Sequence, residues 1–185
     1  VTGVQTCALP IVVVGDNGWQ LPIPVVKTAS GWQFDMQEAA EEILTREIGR
    51  NELAAIEALH AYVDAQQSYF AMNQKYAQKI VSSKGKKDGL YWPGAPGETP
   101  SPLGPAFSPP QSGAGYHGYR FRIMPDKNGF AMVAWPVNYG QTGVMSFVIN
   151  QDDAVYQADL GNDSAQKAQA LSEYQPDKTW QPVTP

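Results

Sequence analysis

Apolar residues along this chain change their spacing partway through, and that change divides it into a helical and an extended half. Between 51 and 73, Leu53, Ile56, Leu59, Val63 and Phe70 recur at three, four or seven residues, the single stripe of a 3.6-residue period. Ala54, Ala55, Ala58, Ala61 and Ala65 raise helix propensity between them and permit close packing. Asn51 offers a cap for this helix. A shorter acidic helix over 36–48 precedes it, capped by Asp35, with Glu38, Glu41 and Glu42 toward its positive end and Gly49 as an interruption. A further turn or two of helix is expected over 76–83, ended by the Lys84-Gly85-Lys86-Lys87-Asp88-Gly89 run.

Beyond the helices the pattern alternates. Tyr119, Phe121 and Ile123 share one face and Arg120 and Arg122 the other, while 130–137 is apolar on both sides. Strands over 119–123, 130–137, 144–150 and 155–160 are separated by short turns, which predicts a four-stranded antiparallel meander. A long helix followed by a meander gives an α+β fold with the helix stripe packed on the sheet. Upstream, Val12-Val13-Val14, the turn Gly15-Asp16-Asn17-Gly18, then Ile23, Val25 and Val26, and Trp32-Gln33-Phe34 after Ser30-Gly31 read as a β-hairpin over 12–34. It is expected to be the remnant of an N-terminal domain that lies outside this chain. The stretch 93–110 holds seven of the fifteen prolines, so 93–118 is a loop without regular ladders.

Composition narrows the partners. The 185 residues are 43% hydrophobic and 17% charged, enough to bury a core. A net charge of −5, with no basic block beyond Lys84, Lys86 and Lys87, argues against nucleic acid. No apolar run approaches the roughly 18 residues that span a bilayer. Residues 1–11 read VTGVQTCALPI, the in-frame translation of a common sequencing-library adapter. They are expected to be an assembly artefact, which would leave a chain without its one cysteine, Cys7, and without its native start. Residues 35–185 then form the domain proper.

Candidate chemistry is sparse. His60 has Asp64 at i+4, a pairing more often a surface hydrogen bond than a site. Two histidines are too few of zinc's preferred ligands. Asn150, Asp152, Asp153 and Asp159 lack calcium-loop spacing and read first as a hairpin turn. Glu38, Glu41 and Glu42 do not read as a glycosidase pair. No phosphate loop, dinucleotide glycine pattern or serine-hydrolase elbow appears, so no catalytic, cofactor or metal residue is assigned. The aromatic residues Tyr91, Trp92, Tyr116, Tyr119, Trp135 and Tyr139, with His117 between its glycines, carry the remaining interest. They are read either as a clamp pinning the proline-rich loop to the sheet or as a surface for a protein, peptide or glycan partner.

The segments IGRNELAAIEALHAYVDAQQSY, GKKDGLYWP, GYHGYRFRI and GFAMVAWPVNYGQTGVMSFVINQDDAVYQADLG resemble the bacterial family called domain of unknown function 2950. That resemblance covers about residues 15–180 and implies an exported protein, periplasmic or extracellular, with a leader and further N-terminal residues. Where this chain has Asp153 the family usually has Gly, which implies a left-handed turn position. Residues 51–69 and the strand order that follows are also similar to the soluble domains of type IV pilins and pseudopilins. There a helix packs on a four-stranded sheet and the helix-to-sheet loop is the variable interaction surface. The apolar anchoring half-helix of pilins has no counterpart here. Together these readings imply a non-enzymatic envelope interaction or structural module. The alternatives are a hydrolase completed by the missing N-terminal region, marked by a deep pocket joining His117, Arg120 and a carboxylate, and a peptide- or glycan-binding module.

Overall fold

The structure, a computed structural model, describes residues 12–94, 96–107, 115–124, 126 and 129–183. The adapter-like segment 1–11, with Cys7, lies outside the described residues, as does 108–114 of the proline-rich loop. The chain divides into two compact units, Val1–Glu47 and Ile48–Pro185.

In the first unit the extended residues form two hairpins rather than one. Strand β1 (Val13–Val14) pairs with β2 (Trp19–Gln20), and β3 (Val25–Thr28) pairs with β4 (Gly31–Phe34), both antiparallel. The turn expected at 15–18 is present, with Gly15 and Gly18 at φ of 74° and 70°, but the chain returns at Trp19 instead of Ile23. Helix α1 (Met36–Asn73) begins here, and Asp35 caps it as expected, its Oδ1 accepting from the N–H groups of Gln37 and Glu38 at 3.1 Å.

Helix α1 is continuous for 38 residues, so Gly49 does not interrupt it. A helical glycine costs about 1 kcal/mol relative to alanine, which the packing of the following turns outweighs. Asn51 is consequently not a cap: it lies inside the helix, and its Nδ2 donates to Thr142 O at 3.0 Å.

In the second unit α1 lies on one face of a five-stranded antiparallel sheet with strands in sequence order: β5 (Tyr119–Met124), β6 (Ala131–Pro136), β7 (Met145–Asn150), β8 (Tyr156–Asp159) and β9 (Gln181–Pro182). The four expected strands are there; the fifth, near the C-terminus, corrects the four-stranded expectation. Two residues containing a proline carry no alternation to read, and β9 exists because β8 offers it an edge. The buried stripe of α1 is Ala55, Leu59, Tyr62, Val63, Ala65, Gln66 and Tyr69, packed with Tyr119, Phe130, Met132, Ala134, Phe147 and Ile149 of the sheet layer. Leu59 and Val63 fall where the apolar period put them, but Leu53 is 64% exposed. Leu59 stands six positions beyond Leu53, about 600° of helical rotation, which leaves the two side chains about 120° apart around the helix and on different faces.

The opposite sheet face is covered as well. Met124, Ala131, Val133, Trp135 and Val148 pack with Ala168 of a short helix α2 (Ser164–Ala170) and with Leu171, Tyr174 and Trp180. Strand β6, apolar on both sides, is buried throughout. Each fully buried large side chain contributes about 1.5–3 kcal/mol before entropy.

Residues 76–83 are not helical, contrary to expectation. Ala77 instead exchanges both backbone bonds with the wholly buried Gln66 side chain, N–H to Oε1 and Nε2 to C=O, each at 2.9 Å. Val81 then makes a parallel bridge with Tyr91. Within the described part of 93–118, regular structure amounts to a 3-10 turn at Pro105–Phe107 and a single bridge between Tyr116 and Tyr119.

Candidate functional site: a cleft at the outer edge of the sheet

Strand β5 is the first of its sheet, and among the described residues no strand lies beyond it. Its pairing with β6 fixes which backbone groups face outward. Val137 N–H bonds Gly118 O on the β6 side, and Tyr119 exchanges N–H···O bonds of 2.9 Å with Tyr116 on the other. Neighbouring residues of an antiparallel strand present their N–H and C=O to opposite sides. Phe121 and Ile123 therefore present theirs outward, like Tyr119, while Arg120 and Arg122 face β6. An edge of this kind is a template for another extended chain.

A cleft of about 540 Å³ follows this edge. One wall comes from Ile80 and Val81 of the post-helix segment and from Phe107 and Tyr116 at the ends of the proline-rich loop; the floor is β5, with Arg120 and Arg122 on the face toward α2. Phe107 and Tyr116 stack with ring centroids 5.0 Å apart and planes 19° apart, and both meet the Phe121 ring edge-on at 6.4 Å. The glycine between loop and strand is enforced: at Gly115, φ +71°, a Cβ would collide with the carbonyl of Tyr119. The Arg122 guanidinium caps α2, its Nη2 donating to Ala168 O at 2.9 Å and Leu171 O at 2.8 Å. Arg122 Nε and Trp135 Nε1, both on residues that line the cleft, are buried donors with no partner among the described residues.

The seven aromatic and histidine candidates separate. Tyr116, Tyr119 and Trp135 line the cleft, but Tyr119 is chiefly a core residue, fully buried, its hydroxyl donating to Met145 O at 2.8 Å. Burial and the nearby Glu52 carboxylate raise its pKa far above the ordinary tyrosine value. Tyr91 and Trp92 line a second cleft of about 610 Å³ beyond Val81. His117 is exposed at φ +46°, its ring edge-on to Tyr116 at 4.5 Å. Tyr139 donates to Asp159 Oδ2 at 3.1 Å, which raises its pKa. Phe107, central to the cleft, was not among the candidates. Its signal was weak: one aromatic residue inside a proline-rich loop.

The polar candidates resolve into structure. His60 Nδ1 lies 2.7 Å from Asp153 Oδ1, a partner 93 positions away, rather than Asp64. Asp153 sits at φ +58° in the β7–β8 turn, the left-handed position implied for it. Asn150 shapes the same turn, bonding Asp152 through both its Nδ2 and its Oδ1. Asp159 accepts from Gly161 N–H at 2.8 Å. Glu42 pairs with Arg46 at 2.6 Å. Among the described residues no group of three His, Cys, Asp or Glu could hold a metal ion. No helix there is long and apolar enough to cross a membrane.

The site and fold thus define a class: an α+β protein whose antiparallel sheet is packed on both faces and, among the described residues, carries no further strand beyond β5. The chain belongs to the family described as "Protein of unknown function (DUF2950)", which it matches over residues 6–183. No curated protein matches it.

Proposed function

We propose that this chain is a non-enzymatic interaction module of the cell envelope that binds an extended peptide along the outer edge of β5. The observation that carries the reading is the coincidence of edge and cleft. Outward backbone groups at Phe121 and Ile123 lie where Phe107, Tyr116 and Ile80 provide apolar flanks. Strand addition draws affinity from main-chain hydrogen bonds and selectivity from side-chain pockets. The described lining includes Arg120 but neither His117 nor any carboxylate, so the geometry favours binding over hydrolysis. The resemblance of residues 51–69 and the following strand order to pilin-type soluble domains supports the same role, because the variable helix-to-sheet loop of those domains corresponds to the stretch that supplies the cleft wall. Placement in the envelope rests on the exported character that the family resemblance implies. Its check is whether the protein, expressed from its full-length gene, partitions with periplasmic or secreted markers; recovery with cytoplasmic markers would remove that part of the proposal.

The binding test is selection of a phage-displayed library of random heptapeptides on the purified protein. Selected peptides are then titrated by fluorescence anisotropy against wild type, Ile123→Pro and Phe107→Ala. Proline at an outward edge position removes one donor without breaking the β6 ladder, and Phe107→Ala hollows the wall, removing a ring contact to Phe121 while leaving the β5 backbone unchanged. Circular dichroism confirms that each variant is folded. Micromolar binding that weakens at least tenfold in both variants is expected. A library yielding no binders, or binders indifferent to both substitutions, would overturn the reading.

A further inference from the structure

Val81 lines two clefts, the one along β5 and the one beyond it. The second differs in charge. In a chain with 13 Lys and Arg and a net charge of −5, Lys79, Lys84, Lys86 and Lys87 crowd into nine positions, and the last three line this cleft with Tyr91 and Trp92. Two of the four charges are neutralised: Lys79 pairs with Asp88 at 2.8 Å, and Lys87 with Glu98, the one carboxylate of the described lining, at 3.3 Å. Lys87 also lies over the Trp92 ring at 5.5 Å. Lys84 and Lys86 make no ion pair among the described residues, which leaves two uncompensated cations.

These lysines stand on a cross-linked turn. Asp88 accepts from Ser83 N–H at 2.7 Å and Ser83 Oγ at 3.0 Å, Gly89 N–H donates to Ser82 Oγ at 2.9 Å, and Ser82 N–H donates to Tyr91 O at 2.8 Å. Contacts to Lys79 and Ser83 hold the Asp88 carboxyl well below the usual carboxylate range. A surface ordered in advance loses less entropy when a partner binds.

We infer that the partner peptide carries acidic residues at one end, seated between Lys84 and Lys86, next to the segment that pairs with β5. This rests on the β5-edge reading and names the chemistry of its ligand. An extended chain advances ~3.3 Å per residue, so a peptide leaving the β5 cleft past Val81 reaches the lysines within a few residues. A lone oxyanion or an anionic membrane would satisfy the charge but leave the adjoining strand edge unused; an acid-flanked peptide uses both.

The experiment takes the tightest peptide from the heptapeptide selection and a copy with every Asp and Glu changed to Asn and Gln. Both are titrated at 50 and 300 mM NaCl against wild type and the double variant Lys84→Glu/Lys86→Glu. Expected are enrichment of acidic residues at one end of the selected peptides and an approximately fivefold advantage of the acidic peptide at low salt. That advantage should shrink at 300 mM NaCl, as screening of exposed charges requires, and disappear in the double variant. Selected peptides without acidic enrichment, or equal binding of acidic and neutral copies, would overturn the inference while leaving the β5 site standing. A selection with no binders overturns both. Phosphatidylglycerol vesicles that bind wild type but not the double variant, while peptides ignore the flank, would assign the lysines to a membrane surface instead.

Discussion

Gln66 is fully buried and uses both ends of its amide. Its Nε2 donates to Tyr62 Oη at 3.0 Å and to Ala77 O, and its Oε1 accepts from Ala77 N–H. One side chain thereby ties the segment after α1 back onto the helix. Replacing it with Leu keeps most of the volume but strands both backbone groups of Ala77. Gln66→Leu is expected to lower stability by about 2–4 kcal/mol in urea unfolding; a change under 0.5 kcal/mol would show that the amide does not hold the segment. The primary structure hides this role, since a Gln beside an apolar stripe reads as the solvated flank. Asp35 was legible because a cap is a local device, acting two and three residues ahead. The partner of His60 was not, because 93 positions intervene. Tight glycines behave alike: a Cβ on Gly143 would run into the Tyr119 hydroxyl, with the ring Cζ at 2.5 Å, an approach created wholly by packing.

At the level of elements, α1 shows how tertiary contacts override a local breaker. Gly49 has no heavy atom within 4 Å of where a Cβ would stand, and its φ is not in the left-handed region. Gly49→Ala therefore adds helix propensity without a clash and is expected to stabilise the protein by about 0.5–1 kcal/mol. A rise of a few degrees in the thermal midpoint would register it; an unchanged or lower midpoint would mean that the glycine serves some other purpose. The strands were readable because alternation is a property of each strand alone. The helical reading of 76–83 failed because a buried amide and the bridge to Tyr91, neither of them local, compete for its backbone. The buried side of α1 excludes the large aliphatic Leu53 and is formed by small and aromatic residues such as Ala55, Tyr62 and Tyr69, so aliphatic size alone does not mark the face.

For the whole molecule, burial of phenols couples stability to alkaline pH. Burial raises the pKa of Tyr62 and Tyr119 well above their ordinary value near 10, and Tyr174 is pushed up to about 12, chiefly by burial as well. A group whose folded pKa is raised contributes stability that is complete below its unfolded pKa and is lost as pH rises toward the folded value. Urea midpoints should then be level from pH 7 to 9 and fall above about pH 10. Phenolate absorbance of these tyrosines should lag until the protein unfolds, and Tyr119→Phe should soften the decline; a decline equally steep in that variant would remove Tyr119 from the account. The binding predictions belong to this scale too, because edge, loop ends and lysine turn come from separate stretches of chain. Periodicity, capping and turn chemistry act over a few residues, and for that reason the α+β class, the Asp35 cap, the helix end near Asn73 and four of the sheet's strands could be read in the amino-acid order. The fifth strand, the second covered face, the unbroken passage through Gly49 and the cleft along β5 arise from contacts between distant residues. No local pattern encodes those contacts; they exist once hydrophobic burial brings the segments together.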